Sequence, residues 1–209
     1  MSSSMPSSTT SLKSTRLATS SLTIAVKSFA GHMDTHQISK ILKNDRFTKH
    51  HFRGVFACDQ LPKQYVPRLR TLVINTDPST KPGQHWVAIY ITRDGEGEYF
   101  DSYGQPVKLP QVKKFLKKNV TRQRYNRQPL QGPLSAVCGQ YSIFFLLQRC
   151  RGLSMTNITS LFSYDWRDND ILINDFIRTH FPHIKTTVYD EQFLEKQIAR
   201  ALFNTSRKM

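Results

Sequence analysis

The 209-residue sequence predicts an α+β domain in which one apolar helix packs on a small mixed or mainly antiparallel sheet, with helices before and after it. Three observations carry this expectation. His85 to Thr92 and Glu98 to Asp101 are strand-like and are separated by Arg93 to Gly97, which holds two glycines, so together they read as a hairpin. Gln140 to Gln148 is largely apolar and free of Gly and Pro, which suits a buried helix beginning near Cys138. Amphipathic helical spacing recurs on both sides of this centre.

In chain order, Met1 to Ser20 holds eight Ser and four Thr and no acid, a composition that buries little apolar area. It is expected to be a disordered tail, with residues 21–209 forming a single domain. From Asp34 to Phe47 the residues Ile38, Ile41 and Leu42 share a helical face, and Asp34 or Thr35 can cap it. Phe52 to Ala57 and Thr71 to Asn75 read as strands, and Pro78 to Gly83 as a turn before the hairpin. Leu109 to Lys118 places Val112, Phe115 and Leu116 on one side and lysines around the rest, with Pro110 at the start of the helix. Asp168 to Thr179 and Asp190 to Phe203 have acidic starts and helical apolar spacing.

Composition narrows the class. The longest apolar stretch, Ile143 to Leu147, is far shorter than the roughly 20 residues a membrane span requires. Cys58, Cys138 and Cys150 are odd in number and have no paired spacing, which argues for a reducing, intracellular setting rather than secretion. His32 and His36 have the spacing of a zinc helix but lack the adjacent Glu, so no metal site is expected. The net charge is +15, and no acid occurs from Ser102 through Tyr164, a pattern that points to a polyanionic partner.

The chemistry centres on one thiol. Gly132, Pro133 and Ser135 interrupt regular structure immediately before Cys138, placing its sulfur at a helix start, where backbone amides favour a thiolate. In the expected hairpin, the residue opening the first strand faces the residue closing the second, which brings His85 to Asp101. A thiol, an imidazole and an acceptor that orients it are the parts of a cysteine nucleophile system.

Three motifs, GQHWVAIY at Gly83 to Tyr90, YFDSYGQP at Tyr99 to Pro106 and QGPLSAVCGQY at Gln131 to Tyr141, occur in one order. Together they resemble the adenovirus protease (adenain) family, particularly the forms carried by polinton (Maverick) elements and adintoviruses. The superfamily also includes the Ulp1-type SUMO-specific proteases. The resemblance covers roughly Phe52 to Arg149. It implies a papain-like, adenain-type cysteine protease fold, with Cys138, His85 and Asp101 as the triad, Gln131 as oxyanion donor and Trp86 packing beside the site. Gln123 and Gln128 lie near Gln131, so that assignment follows from the resemblance rather than from spacing.

The resemblance also implies virion precursor proteins cut at Gly-containing sites as substrates and a location in the nucleus or the virion; a monomer is expected. Ubiquitin-like conjugates are the alternative substrates. No cofactor is required by the sequence, although DNA and a peptide activate the adenoviral relatives. Asp101 to Gln131 contains no cysteine, so a disulfide-linked activator is not expected. Lys108 to Arg127 holds eight basic residues; Lys113, Lys114, Lys117, Lys118, Arg122, Arg124 and Arg127 form a candidate surface for non-specific DNA contact. A non-catalytic nucleic-acid-binding protein on the same fold is the rival from another class.

Overall fold

The computed structural model describes residues 31–63 and 70–184. The expected tail at Met1 to Ser20 and the expected helix at Asp190 to Phe203 lie outside the described residues. Helix α1 (Thr35–Asn44) precedes β1 (Phe52–Ala57), β2 (Arg70–Asn75), β3 (Trp86–Ile91) and β4 (Glu96–Phe100). Then follow α2 (Pro110–Asn119), β5 (Arg122–Tyr125), α3 (Cys138–Cys150), α4 (Met155–Thr159) and α5 (Trp166–His180). The five strands lie side by side in chain order. The two outer pairs are parallel and the two inner pairs antiparallel, so the sheet is mixed.

Local chemistry sets the helix limits. Asp34 accepts from the Gln37 amide at 2.8 Å while the Gln37 side chain accepts from the Asp34 amide at 2.7 Å, a reciprocal cap that starts α1. Pro110 occupies the first turn of α2, where its missing N–H costs no helical bond. Asp165 caps α5, so that helix begins two residues before Asp168.

All six residues of β3 are buried because helices cover both faces of the sheet. Trp86, Ala88 and Tyr90 join Val73 and Phe100 in the core under α3, where Phe100 stacks on Phe145 at 4.5 Å. Val87, Ile89 and Ile91 join Leu72, Ile74 and Tyr99 under α2, with Phe115 and Leu116. This strict alternation follows from the two-residue period of a strand. In α3 the first ten residues are all buried, as expected for a helix enclosed by other elements.

The hairpin register departs from expectation. Ala88 faces Phe100 and Ile91 faces Gly97, so continuing the ladder would set Asp101 opposite Val87 rather than His85. The strands are Trp86–Ile91 and Glu96–Phe100, with a tighter turn between them than two strands ending at Thr92 and beginning at Glu98 would give. His85 and Asp101 therefore sit just beyond the paired segments, where backbone constraint is lower and the side chains meet on a diagonal. Strand β5 and the one-turn helix α4 were not anticipated, because RQRY and MTNIT carry no apolar periodicity.

Candidate active site

The site lies where the start of β3, the end of β4 and the N-terminus of α3 converge. His85 is held from below by its carbonyl, which accepts from the Thr76 amide at 2.9 Å. Its Nε2 lies 2.9 Å from Asp101 Oδ1. An imidazole has one other nitrogen, Nδ1, and this is left for Cys138, the second hydrogen-bond partner of the ring. Burial alone would depress the His85 pKa, but hydrogen bonds to Asp101 and Cys138 and the negative charges of both outweigh it. The result is raised to about 10, so the ring is an imidazolium at neutral pH.

Cys138 is the first residue of α3 and is only 4% exposed. Val137 supplies no side-chain cap, so the first-turn amides carry the positive end of the helix beside the sulfur. The Trp86 amide donates to Sγ at 3.4 Å, a further interaction that favours negative sulfur. The Trp86 indole donates to the Met33 carbonyl at 2.9 Å, fixing the ring against α3. Gly139 permits this: a Cβ there would lie 3.0 Å from Met33 and 3.3 Å from the Trp86 ring.

Asp101 is fixed at three points. Asn126 spans its backbone, accepting from its amide at 2.8 Å and donating to its carbonyl at 2.7 Å. The Tyr103 amide donates to Oδ1 at 2.8 Å, in the turn that follows β4. That turn closes with the Gly104 amide on the Asp101 carbonyl at 2.7 Å. Gln131 is nearly fully buried, and its Oε1 accepts from the Ser102 hydroxyl at 2.6 Å. Its Nε2 donates to the Ser135 carbonyl at 2.8 Å and to the Tyr103 hydroxyl at 3.2 Å. The amide thus lies in the loop directly preceding Cys138.

Ser102, Tyr103, Asn126 and Asp170 belong to this arrangement and were not singled out from the sequence. Asp170 of α5 accepts from the Gly132 amide at 3.2 Å and approaches the Tyr141 hydroxyl at 3.0 Å, buttressing the Gln131 loop. Only the Asp-Ser-Tyr-Gly turn offered a signal, since Asx-type turns fix their own neighbourhood.

The basic set is distributed over α2, β5 and the loop after it. Lys113, Lys114, Lys117 and Arg122 are exposed. Lys118 is engaged with the Lys63 carbonyl, and Arg127 lies over the Tyr125 ring at 5.8 Å. Arg124 pairs with the buried Glu98 at 2.5 Å, a charge that Arg149 also holds at 2.6 Å. Arg124 thus pairs with a buried acid while half of its side chain stays exposed. Cys150 is half-buried, and desolvation pushes its thiol up to about 12, so it is inert at neutral pH. Among the described residues, no group of three or more His, Cys, Asp or Glu is placed to hold a metal, and no helix is long and apolar enough to cross a membrane.

No family model matches the sequence. A cysteine protease of African swine fever virus, from a tick isolate from Malawi, is 35% identical over 105 residues, covering 42% of this chain and 36% of the viral protein. A pig isolate from Kenya supplies a protein named a SUMO-1 cysteine protease, 34% identical over the same shares. The chain thus spans little more than a third of the length of the curated relatives it matches. The crystal structure of the African swine fever virus protease superposes with a TM-score of 0.50 at 23% identity, covering 72% of this chain and 67% of that one, and so shares its fold. Over 42% of its length this chain is similar in sequence to the African swine fever virus cysteine proteases, and it shares the fold of the solved one.

Proposed function

We propose that the chain is a cysteine endopeptidase acting through Cys138, His85 and Asp101, with Gln131 as oxyanion donor. The observation that carries this reading is the contact chain from Asp101 Oδ1 to His85 Nε2, and from the same ring to Cys138 at a helix start. The imidazolium keeps the sulfur anionic, and the thiolate attacks the scissile carbonyl. His85 then gives its proton to the leaving amine, and water attacks the acyl-enzyme with His85 as base. Asp101 holds the ring in the required orientation throughout. Gln131 Nε2 and the Cys138 amide supply donors for the oxyanion.

The substrates we favour are virion precursor proteins cleaved at Gly-containing sites. A nucleophile only 4% exposed, with the Trp86 backbone amide against its sulfur, admits a thin backbone more readily than one with bulky side chains. The same constraint suits the tail of a ubiquitin-like protein, and one relative carries the name SUMO-1 cysteine protease, so a deconjugating activity is the second reading. Non-specific DNA contact through Lys113, Lys114, Lys117 and Arg122 is a separate proposal that rests on exposed charge.

Cleavage assays on virion precursors, SUMO conjugates and ubiquitin conjugates test both readings. Cys138→Ala is expected to abolish turnover, and His85→Ala to lose about a thousand-fold or more. The double variant should be no worse than either single one, since the groups act as a unit. Retention of full activity by Cys138→Ala sinks the protease reading, and cleavage of conjugates alone overturns the choice of substrate.

A further inference from the structure

Tyr103 touches three of the four residues assigned to the site. Its amide donates to Asp101 Oδ1 at 2.8 Å, its ring lies 4.8 Å from the His85 imidazole at a tilt of 31°, and its hydroxyl accepts from Gln131 Nε2 at 3.2 Å. The hydroxyl's own proton points to the Ser135 carbonyl at 3.5 Å, in the loop that leads to Cys138. Burial, then the negative charge of Cys138, Asp170 and Asp101, pushes the phenol pKa up, so the hydroxyl keeps that proton.

We infer that Tyr103 is a positioning residue that joins the two halves of the site, its ring setting the plane of His85 and its hydroxyl orienting the Gln131 amide. The inference rests on the protease reading above. Ser102 pins the oxygen of the planar Gln131 amide, so both N–H directions are set by that bond together with the partners Nε2 meets. One is taken by Ser135 at 2.8 Å; the other, on the longer bond to Tyr103, is the one a substrate oxygen displaces more easily. Without the hydroxyl, the planar amide keeps Ser102 and Ser135 but loses the partner on this N–H, so its direction is held less tightly before substrate arrives.

The ring and the hydroxyl can be tested apart. Tyr103→Phe keeps the ring and removes the hydroxyl; Tyr103→Leu removes both. With a fluorogenic peptide carrying glycine at the scissile bond, Tyr103→Phe is expected to lower kcat about ten-fold with KM within about two-fold. That is less than the roughly hundred-fold loss from deleting an oxyanion donor itself. Alkylation of Cys138 by iodoacetamide forms no oxyanion, so its rate should match the wild type in Tyr103→Phe and fall in Tyr103→Leu. A Tyr103→Phe variant with wild-type kcat overturns the role of the hydroxyl, and one that loses kcat and alkylation alike shows general damage and overturns the division of labour. If the wild-type chain neither cleaves nor alkylates at Cys138, the protease reading fails and this inference with it.

Discussion

Asp170 is a carboxyl only 1% exposed, and burial pushes its pKa up to about 6 in spite of hydrogen bonds from Tyr141 and the Gly132 amide. The folded state therefore binds a proton that the unfolded chain has already released near the ordinary Asp value. Stability falls as pH rises from about 4 to about 6, and the penalty persists above that range. Asp170→Asn can donate to Tyr141 and still accept from Gly132, imitating the protonated acid. It is expected to stabilise the protein by about 1 to 3 kcal/mol at pH 7.5 and by little at pH 4, as read by urea melts at the two pH values. Legibility at this scale divides by range. Cys138, His85 and Asp101 are recognisable from residue type and flanking turns, whereas Asp170 meets Gly132 across 38 positions of sequence. No local pattern marks such a contact.

Among the elements, the turn Asp101–Gly104 governs the site most directly. Gly104 has φ +67°, a conformation costly for any residue with a Cβ, and a Cβ there would lie 2.8 Å from backbone atoms of Arg127, Gln128 and Pro129. Gly104→Ala is expected to destabilise the fold by about 2 to 4 kcal/mol in denaturant titrations, and to depress turnover further by shifting Asp101 and Tyr103. Strands β1 to β4, the helices α1, α2 and α3 and most of α5 were legible because their apolar spacing is strong. The exact pairing was not, since β3 is apolar on both faces and its composition tolerates a slip of two residues without exposing either core. Strand β5 was hidden for the opposite reason. It is an edge strand of RQRY held by parallel pairing to β4 and by Arg124 on Glu98, and neither is visible as alternation.

For the whole molecule, the separation of α2 from α3 by the sheet keeps the exposed lysines away from the thiol. Replacing Lys113, Lys114 and Lys117 by Glu should weaken DNA binding and flatten the slope of log K against log salt by roughly 2 to 3. Peptide cleavage should be unchanged, and filter binding over a salt series beside a turnover assay checks both. The net charge of +15 announces a basic surface, but only the fold shows which cations face water and which, like Arg149, are spent on a buried acid. The strand order in space repeats the order in the chain, and Cys138 follows the last strand by thirteen residues. During synthesis the imidazole, the carboxylate and every strand of the sheet leave the ribosome before the thiol does, at about 5 to 20 residues per second. The proposed nucleophile is thus the last member of the proposed triad to be synthesised, after every strand that positions its partners.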